Sequence, residues 1–191
     1  MPDITELILD EHEWFRRRFA ELDDLQAQDP LDVEAVRAVW QPLAEHLDVH
    51  AVAEERIFYP QLLRVGAADP EEETLDAIGD HNDIRDGVHE AARLPVGTAE
   101  WWAAVGRARA ANDEHMAEEE REGLSDFRRT APAGLREALG VQFAEFMDRH
   151  RSTEGLDVSD RNPAGYVREV QREPAAGPGD GSLGIGSLRR H

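Results

Sequence analysis

The chain contains no cysteine. Disulfides, zinc–thiolate sites, iron–sulfur clusters and thiol nucleophiles are therefore excluded together. It has no apolar run approaching the roughly 20 residues that a membrane-spanning helix needs. Its opening Met1-Pro2-Asp3-Ile4-Thr5-Glu6 carries neither a basic stretch nor a long apolar one, so no signal peptide is expected. Positive charge is scarce as well: 21 Lys and Arg stand against 41 Asp and Glu, a formal net charge of -20. Such a surface repels phosphate backbones and anionic lipid headgroups, so neither a nucleic acid nor a membrane is expected as a partner. A cytoplasmic protein is the expectation. What remains is 191 residues, 40% of them hydrophobic. That suffices for one ordinary domain with a real core and some surplus, which the late clustering of Pro and Gly assigns to the C-terminus.

Four long segments place apolar residues at helical spacing, with short breakers between them. The first runs from Asp3 to Gln28, has the stripe Ile4, Ile8, His12, Phe15, Phe19 and Leu22, and ends at Asp29-Pro30. The second runs from Leu31 to Arg64, with a kink expected at Pro42 and the stripe Leu43, Leu47, His50, Glu54 and Ile57. The third spans Pro70 to Arg93, with Leu75, Ile78, His81, Arg85 and Val88. The fourth starts after Thr98, a candidate N-cap, and continues to Arg129 through Trp101, Ala104, Ala108, Ala111, His115 and Glu119. A fifth helix is expected over 132–151, where Leu135, Leu139, Phe143 and Phe146 share one side. Strand signals are missing. The expected fold is all-α: an up-down four-helix bundle with an additional C-terminal helix, forming one domain over 1–151 with its core at 3–129. Residues 152–191 read as a low-complexity, flexible tail, most plainly over Glu173 to Ser182.

The chemistry sits on the apolar stripes. Each of the four helices places one His there: His12, His50, His81 and His115. Two of them add a carboxylate one turn later on the same face, Glu54 and Glu119. The interior of a bundle is a costly place for a carboxylate unless it is paired or holds a metal. The two segments also repeat. His50 to Arg56 and His115 to Arg121 share the pattern H-x-x-x-E-E-R, and each is preceded by a helix with one inward His. The chain thus reads as two helix pairs with pseudo-twofold symmetry about a point in the core. A lone H-x-x-x-E is ordinarily a surface hydrogen bond. A third instance, His150 and Glu154 just before Gly155, is read that way, with His150 placed to interact with a helix C-terminus. Four inward His residues in successive helices are a different matter and point to a metal site.

Imidazole and carboxylate donors without thiolate suit iron, manganese or zinc. Six donors on four helices exceed one tetrahedral zinc and suit two non-haem iron ions, with manganese or zinc less favoured. Ferritin-like di-iron sites are carboxylate-rich and use Glu-x-x-His, whereas this set is rich in His and runs in the opposite order. In that ratio the chain resembles the haemerythrin-like (HHE cation-binding) domain family. The resemblance covers roughly residues 3 to 129. It rests on His12, on His50-x-x-x-Glu54 with Glu55 and the following Ile57-Phe58-Tyr59-Pro60, on Asp80-His81, and on His115-x-x-x-Glu119-Glu120. It implies terminal ligands at His12, His50, His81 and His115, with Glu54 and Glu119 bridging two irons.

This chain departs from the pattern of the oxygen carriers in that family. Those typically carry a second His one turn after the third-helix His, where this chain has Arg85; they also commonly place Asp five residues after the fourth-helix His, where this chain has Glu120. One imidazole fewer implies an asymmetric centre with an extra exchangeable position, which favours reactivity or sensing over reversible oxygen carriage. His46 stands one turn before His50 and is the candidate replacement, while His89 is too far along the axis; both are otherwise expected around the site rather than in it. Arg85 is expected either to pair with Glu55 or Glu120 or to attract an anionic ligand. The aromatic residues Trp14, Phe15, Phe58, Tyr59, Trp101 and Trp102 are expected in the core, with contact to the site as a redox-active or hydrogen-bonding group the alternative for Tyr59. Three functions follow: a protein that binds or senses O2, NO or peroxide; an enzyme that decomposes peroxide or activates O2 on a small substrate; and an iron-binding or storage bundle without catalysis.

Overall fold

The computed structural model describes residues 2–173. The long helices begin where a short polar or acidic side chain can satisfy the first amides. The Asp3 carboxylate accepts from the Thr5 amide and opens α1 (Ile4–Gln26); Asp32 accepts from the Ala35 amide and opens α2 (Val33–Ala53). A π-turn over Glu54–Phe58 leads from α2 into α3 (Tyr59–Val65). α4 (Pro70–Ala91) starts on Pro70, with Glu71, Glu72 and Glu73 at its positive end. The Thr98 hydroxyl accepts from the Trp101 amide at 3.2 Å and opens α5 (Ala99–Arg121). α6 (Gly123–Thr130), α7 (Ala133–Arg149) and α8 (Pro163–Arg172) follow. The described residues contain no strand, and the fold is all-α as expected. No helix among them is long and apolar enough to cross a membrane.

Three boundaries differ from the sequence expectation. The second helix runs through Pro42 without a break, and its irregularity comes later, at the π-turn, where the Tyr59 amide donates to the Glu54 carbonyl. Pro60 has no N–H for the Arg56 carbonyl, so the ladder is interrupted there in any case. The fourth helix does not continue to Arg129 but breaks at Glu122, which frees the Gly123 amide to donate to Glu73 at 3.2 Å. Residues 163–172 form a helix, where the sequence suggested a tail beginning at 152. Asn162 caps it, Pro163 starts it, and Tyr166, Val167 and Val170 bury one side. The expected flexible stretch Glu173 to Ser182 lies almost wholly outside the described residues.

The apolar core is in two parts, and the polar layer between them is what positions the site. One cluster gathers Ile4, Ile8, Val49, Val52, Ile78, Leu124 and Phe127 with the apolar faces of α7 and α8. The other gathers Phe15, Phe19, Leu43, Leu47, Ile84, Val88 and Trp101. On α1 the chain passes from the first cluster to the second with His12 between them. On α2 it passes from the second to the first with His50 at the border. α4 repeats the order of α1 around His81, and α5 with α6 repeats the order of α2 around His115. α4 and α5 pack tightly: a Cβ on Gly87 would lie 2.6 Å from the Ala108 amide nitrogen, so only glycine fits there.

Candidate metal centre

The six residues singled out in the sequence come together in that layer, and all are buried. His50 Nε2 lies 2.9 Å from Glu54 Oε1, and the imidazole rings of His12 and His50 are 5.4 Å apart. The other Glu54 oxygen, Oε2, is 3.3 Å from His81 Nε2 and 3.8 Å from His115 Nε2, and those two nitrogens face each other at 3.3 Å. The donor atoms form two groups compact enough for one ion each: His12 with His50 and Glu54, and Glu54 with His81 and His115. Glu54 belongs to both.

Glu119 stands apart. It joins neither group, although its Oε2 is 3.4 Å from His12 Nε2. The buried Tyr59 hydroxyl donates to Glu119 Oε1 at 2.6 Å and engages that oxygen. The pseudo-symmetry read from the repeat therefore does not extend to the two glutamates.

The outward nitrogens are organised too. His12 Nδ1 is 2.9 Å from Glu120 Oε1, which Arg16 also binds at 2.7 Å. His81 Nδ1 is 3.1 Å from Glu55 Oε1, and His115 Nδ1 is 3.6 Å from Asp80 Oδ2. At His12 and His81 a carboxylate within hydrogen-bond distance of Nδ1 favours the ring proton there and leaves Nε2 directed inward, the arrangement that orients metal-binding imidazoles. Only His50 lacks such a partner: both of its nitrogens are buried without a hydrogen bond.

Unmatched donors make the case for a cation. His12 Nε2, both His50 nitrogens, both Glu54 oxygens and Glu119 Oε2 are buried without a hydrogen-bond partner. Each buried orphan of this kind costs about 1–3 kcal/mol. Burial pushes the His12 pKa down to about 4, which Glu120 only partly offsets, so the ring is a neutral donor at neutral pH. Burial, and then the charge of Glu54, drives Glu119 well above the usual carboxylate range. Glu54 falls well below it, since the His50 imidazole and its neighbours outweigh burial. His115 rises to about 10, because Asp80, Glu54 and Glu119 outweigh the burial that opposes its charge. A proton on His115 Nε2 would serve the two facing nitrogens, but it leaves the orphans around His12, His50 and Glu119 unmatched. Two cations would match the inward nitrogens of His12 and His50 and both Glu54 oxygens.

Residues 3–125 of this chain match the family model described as Hemerythrin HHE cation binding domain. The chain belongs to the haemerythrin family. No curated protein and no solved structure matches it. In this haemerythrin domain Arg85, at the position of the carriers' extra His, is buried and turned to Glu55, with Nη2 donating to Oε1 at 2.6 Å. It thus takes the carboxylate-pairing role. His46 pairs with Glu11 and packs on Trp14, and it belongs to neither donor group. His89 is 3.3 Å from Asp48 and partly exposed. His150 ends α7 with its ring 4.5 Å from that of Phe146, again outside both groups.

Sequence reasoning missed residues beyond the family match. The Phe143 ring of α7 packs 6.0 Å from that of His50. Arg161 Nε is 2.5 Å from Glu55 Oε2, and the Tyr166 hydroxyl donates to the Glu55 carbonyl at 2.5 Å. The signal for the last two was present: Asn162-Pro163 is a helix start, followed by apolar residues at 166, 167 and 170.

Proposed function

We propose that this chain is a cytoplasmic non-haem di-iron protein that binds or reacts with O2, peroxide or NO, in sensing or detoxification. The observation that carries this reading is the pair of buried three-donor groups sharing one carboxylate, in which His12 Nε2, His50 Nε2 and both Glu54 oxygens are buried outside hydrogen-bond geometry. His12, His50 and Glu54 would hold one ion, and Glu54, His81 and His115 the other. Glu119 would contribute through Oε2 alone, next to His12, while Tyr59 restrains its other oxygen. Two iron ions would supply redox-active cations with coordination positions left over for a small ligand, since each group provides only three protein donors.

The rest is done by the protein. Glu120 and Glu55 would keep the ring protons on the outward nitrogens of His12 and His81, and Asp80 stands 3.6 Å from that of His115. The two apolar clusters exclude water on both sides of the layer. The alternating order in which successive helices cross those clusters supports an up-down four-helix bundle formed by α1, α2, α4 and α5, with α7 as the additional C-terminal helix. Arg85 gives Nη2 to Glu55, while its Nε and Nη1 are buried without a hydrogen-bond partner. The cavity lined by Glu72, Glu73, Glu118 and Glu122 includes none of the six donors, so it offers no substrate chamber at the centre.

The test is to reduce the iron-loaded protein anaerobically and then admit air or peroxide. A spectral change that requires the iron and follows exposure to O2, NO or peroxide is expected. Rapid gas evolution with peroxide would assign the enzyme reading instead, and iron that responds to none of them would leave a storage or structural role.

A further inference from the structure

The matched haemerythrin domain ends at residue 125, yet one of the carboxylates that orients its imidazoles is held by a residue far downstream. Glu55 has no exposed side-chain surface and receives three cationic or polar groups. Arg85 Nη2, at 2.6 Å, and His81 Nδ1, at 3.1 Å, both approach Oε1. Oε2 is met by Arg161 Nε at 2.5 Å. Arg161 is thus the cation paired with Oε2, a close ion pair outside hydrogen-bond alignment, and its position bears on how the carboxylate is rotated and so on the direction from which Oε1 meets His81.

Arg161 is itself held at both ends of its peptide unit. The Asn82 side-chain amide donates to the Arg161 carbonyl at 2.8 Å, and the Arg161 amide donates to Asn82 Oδ1 at 2.9 Å. Asn82 is the residue after His81, so this clamp registers the C-terminal segment directly against the helix turn that carries the imidazole. α8 starts two residues later and returns to the same place, where the Tyr166 hydroxyl donates to the Glu55 carbonyl. The segment therefore grips Glu55 by its side chain and its backbone and grips the neighbour of His81 as well.

We propose that Arg161 is a positioning residue for the metal centre: by holding Glu55 against His81 it keeps the ring proton on Nδ1 and the Nε2 lone pair aimed at the ion. The C-terminal segment thereby acts as a latch on the His81 side of the centre, supplied from outside the matched domain. This inference rests on the metal-centre reading above. Outer groups that orient a metal-binding imidazole typically alter metal affinity by about 10–100-fold when removed. The Arg161 side chain is 29% exposed, and Glu55 keeps Arg85 when Arg161 is gone, so loss of the latch does not demand loss of the fold.

The experiment uses the full chain loaded with iron(II), and separately with zinc(II), in wild type, Arg161→Gln, Arg161→Lys, Tyr166→Phe and the exposed control Arg151→Gln. Two readouts are followed: the rate at which a chelator strips the metal, and the His81 tautomer in the same chain before metal is added, from its imidazole nitrogen shifts. Arg161→Gln is expected to lose metal about 10-fold faster and to show His81 exchanging between tautomers. Arg161→Lys should restore part of both properties, Tyr166→Phe should shift them less in the same direction, and Arg151→Gln should match wild type. Tyr166→Phe also carries the test if Arg161→Gln does not fold. Wild-type stripping rates and an unchanged His81 tautomer in Arg161→Gln and Tyr166→Phe would overturn the proposal. So would faster stripping that Arg161→Lys fails to relieve while the tautomer stays fixed, since that marks a general loosening. A wild-type chain that retains neither cation would instead overturn the metal-centre reading, visible before any variant is made.

Discussion

The two glutamates of the H-x-x-x-E-E-R repeat are equivalent in sequence and unequal in space, which yields a sharp expectation for Glu54→Gln and Glu119→Gln. Glutamine keeps the shape of each side chain and removes its charge. Glu54 lies in both donor groups and presents an oxygen to each, whereas Glu119 lies in neither and has one oxygen engaged by Tyr59. Removing one charge from a buried, paired arrangement costs about 3–5 kcal/mol, or roughly 140- to 4000-fold in binding at 1.4 kcal/mol per tenfold. Glu54→Gln applies that loss to both ions and should leave the chain essentially free of iron at micromolar concentration. Glu119→Gln touches only the His12 side, so at least one ion per chain should remain. Metal per chain after desalting, measured by elemental analysis with the fold checked by circular dichroism, decides the matter. Equal iron content in the two variants, whether both full or both empty, would refute the asymmetry and with it the role given to Tyr59.

Three further expectations accompany it. His150→Ala should leave metal content at the wild-type level, because that ring lies at the end of α7 against Phe146; loss of iron would bring His150 into the site. Trp101→Ala should destabilise the fold by about 3–5 kcal/mol, read from denaturant unfolding, because a fully buried indole is lost from the cluster beyond the donor layer. The folded variant should still take up metal to the wild-type stoichiometry. Burial, and then the charge of Glu122, raises the Glu73 pKa to about 7, so the folded protein favours its protonated form. The sign follows directly. The contribution of Glu73 to stability should fall as pH rises from the ordinary carboxylate range to about 7 and level off above it, as Glu73 ionises in the folded state. Glu73→Gln should therefore raise stability at pH 8 by about 1 kcal/mol after solvent screening, with little effect near pH 5. An equal effect at both pH values would contradict this.

The donor layer was legible in the sequence because polar residues at apolar stripe positions have few physical explanations. His12, His50, His81 and His115 each sit where a hydrophobic residue would serve better, and the structure puts each at the border of the two apolar clusters. The pairing of Arg85 with Glu55 was foreseeable as one of two choices, since a buried guanidinium demands a carboxylate within reach. The unequal roles of Glu54 and Glu119 were not foreseeable, because they depend on a hydroxyl from Tyr59, distant in sequence and placed by the π-turn. That turn itself is a register shift inside a continuous helical pattern, to which apolar periodicity is blind. Composition was misleading at the C-terminus. Residues 152–162 are polar and irregular, and they masked the short helix after Asn162 whose three buried residues anchor it. The part of the centre that comes from Arg161 and Tyr166 went unseen for the same reason.

The central claim is that buried donors from four helices are matched by cations. Its most direct test is the metal content of the purified full-length chain after iron(II) loading and removal of excess, with protein quantified by amino-acid analysis. The expected result is two iron per chain, falling to near zero in His50→Ala. Fewer than one tightly held ion per chain in the wild type, or an undiminished content in His50→Ala, would contradict the account.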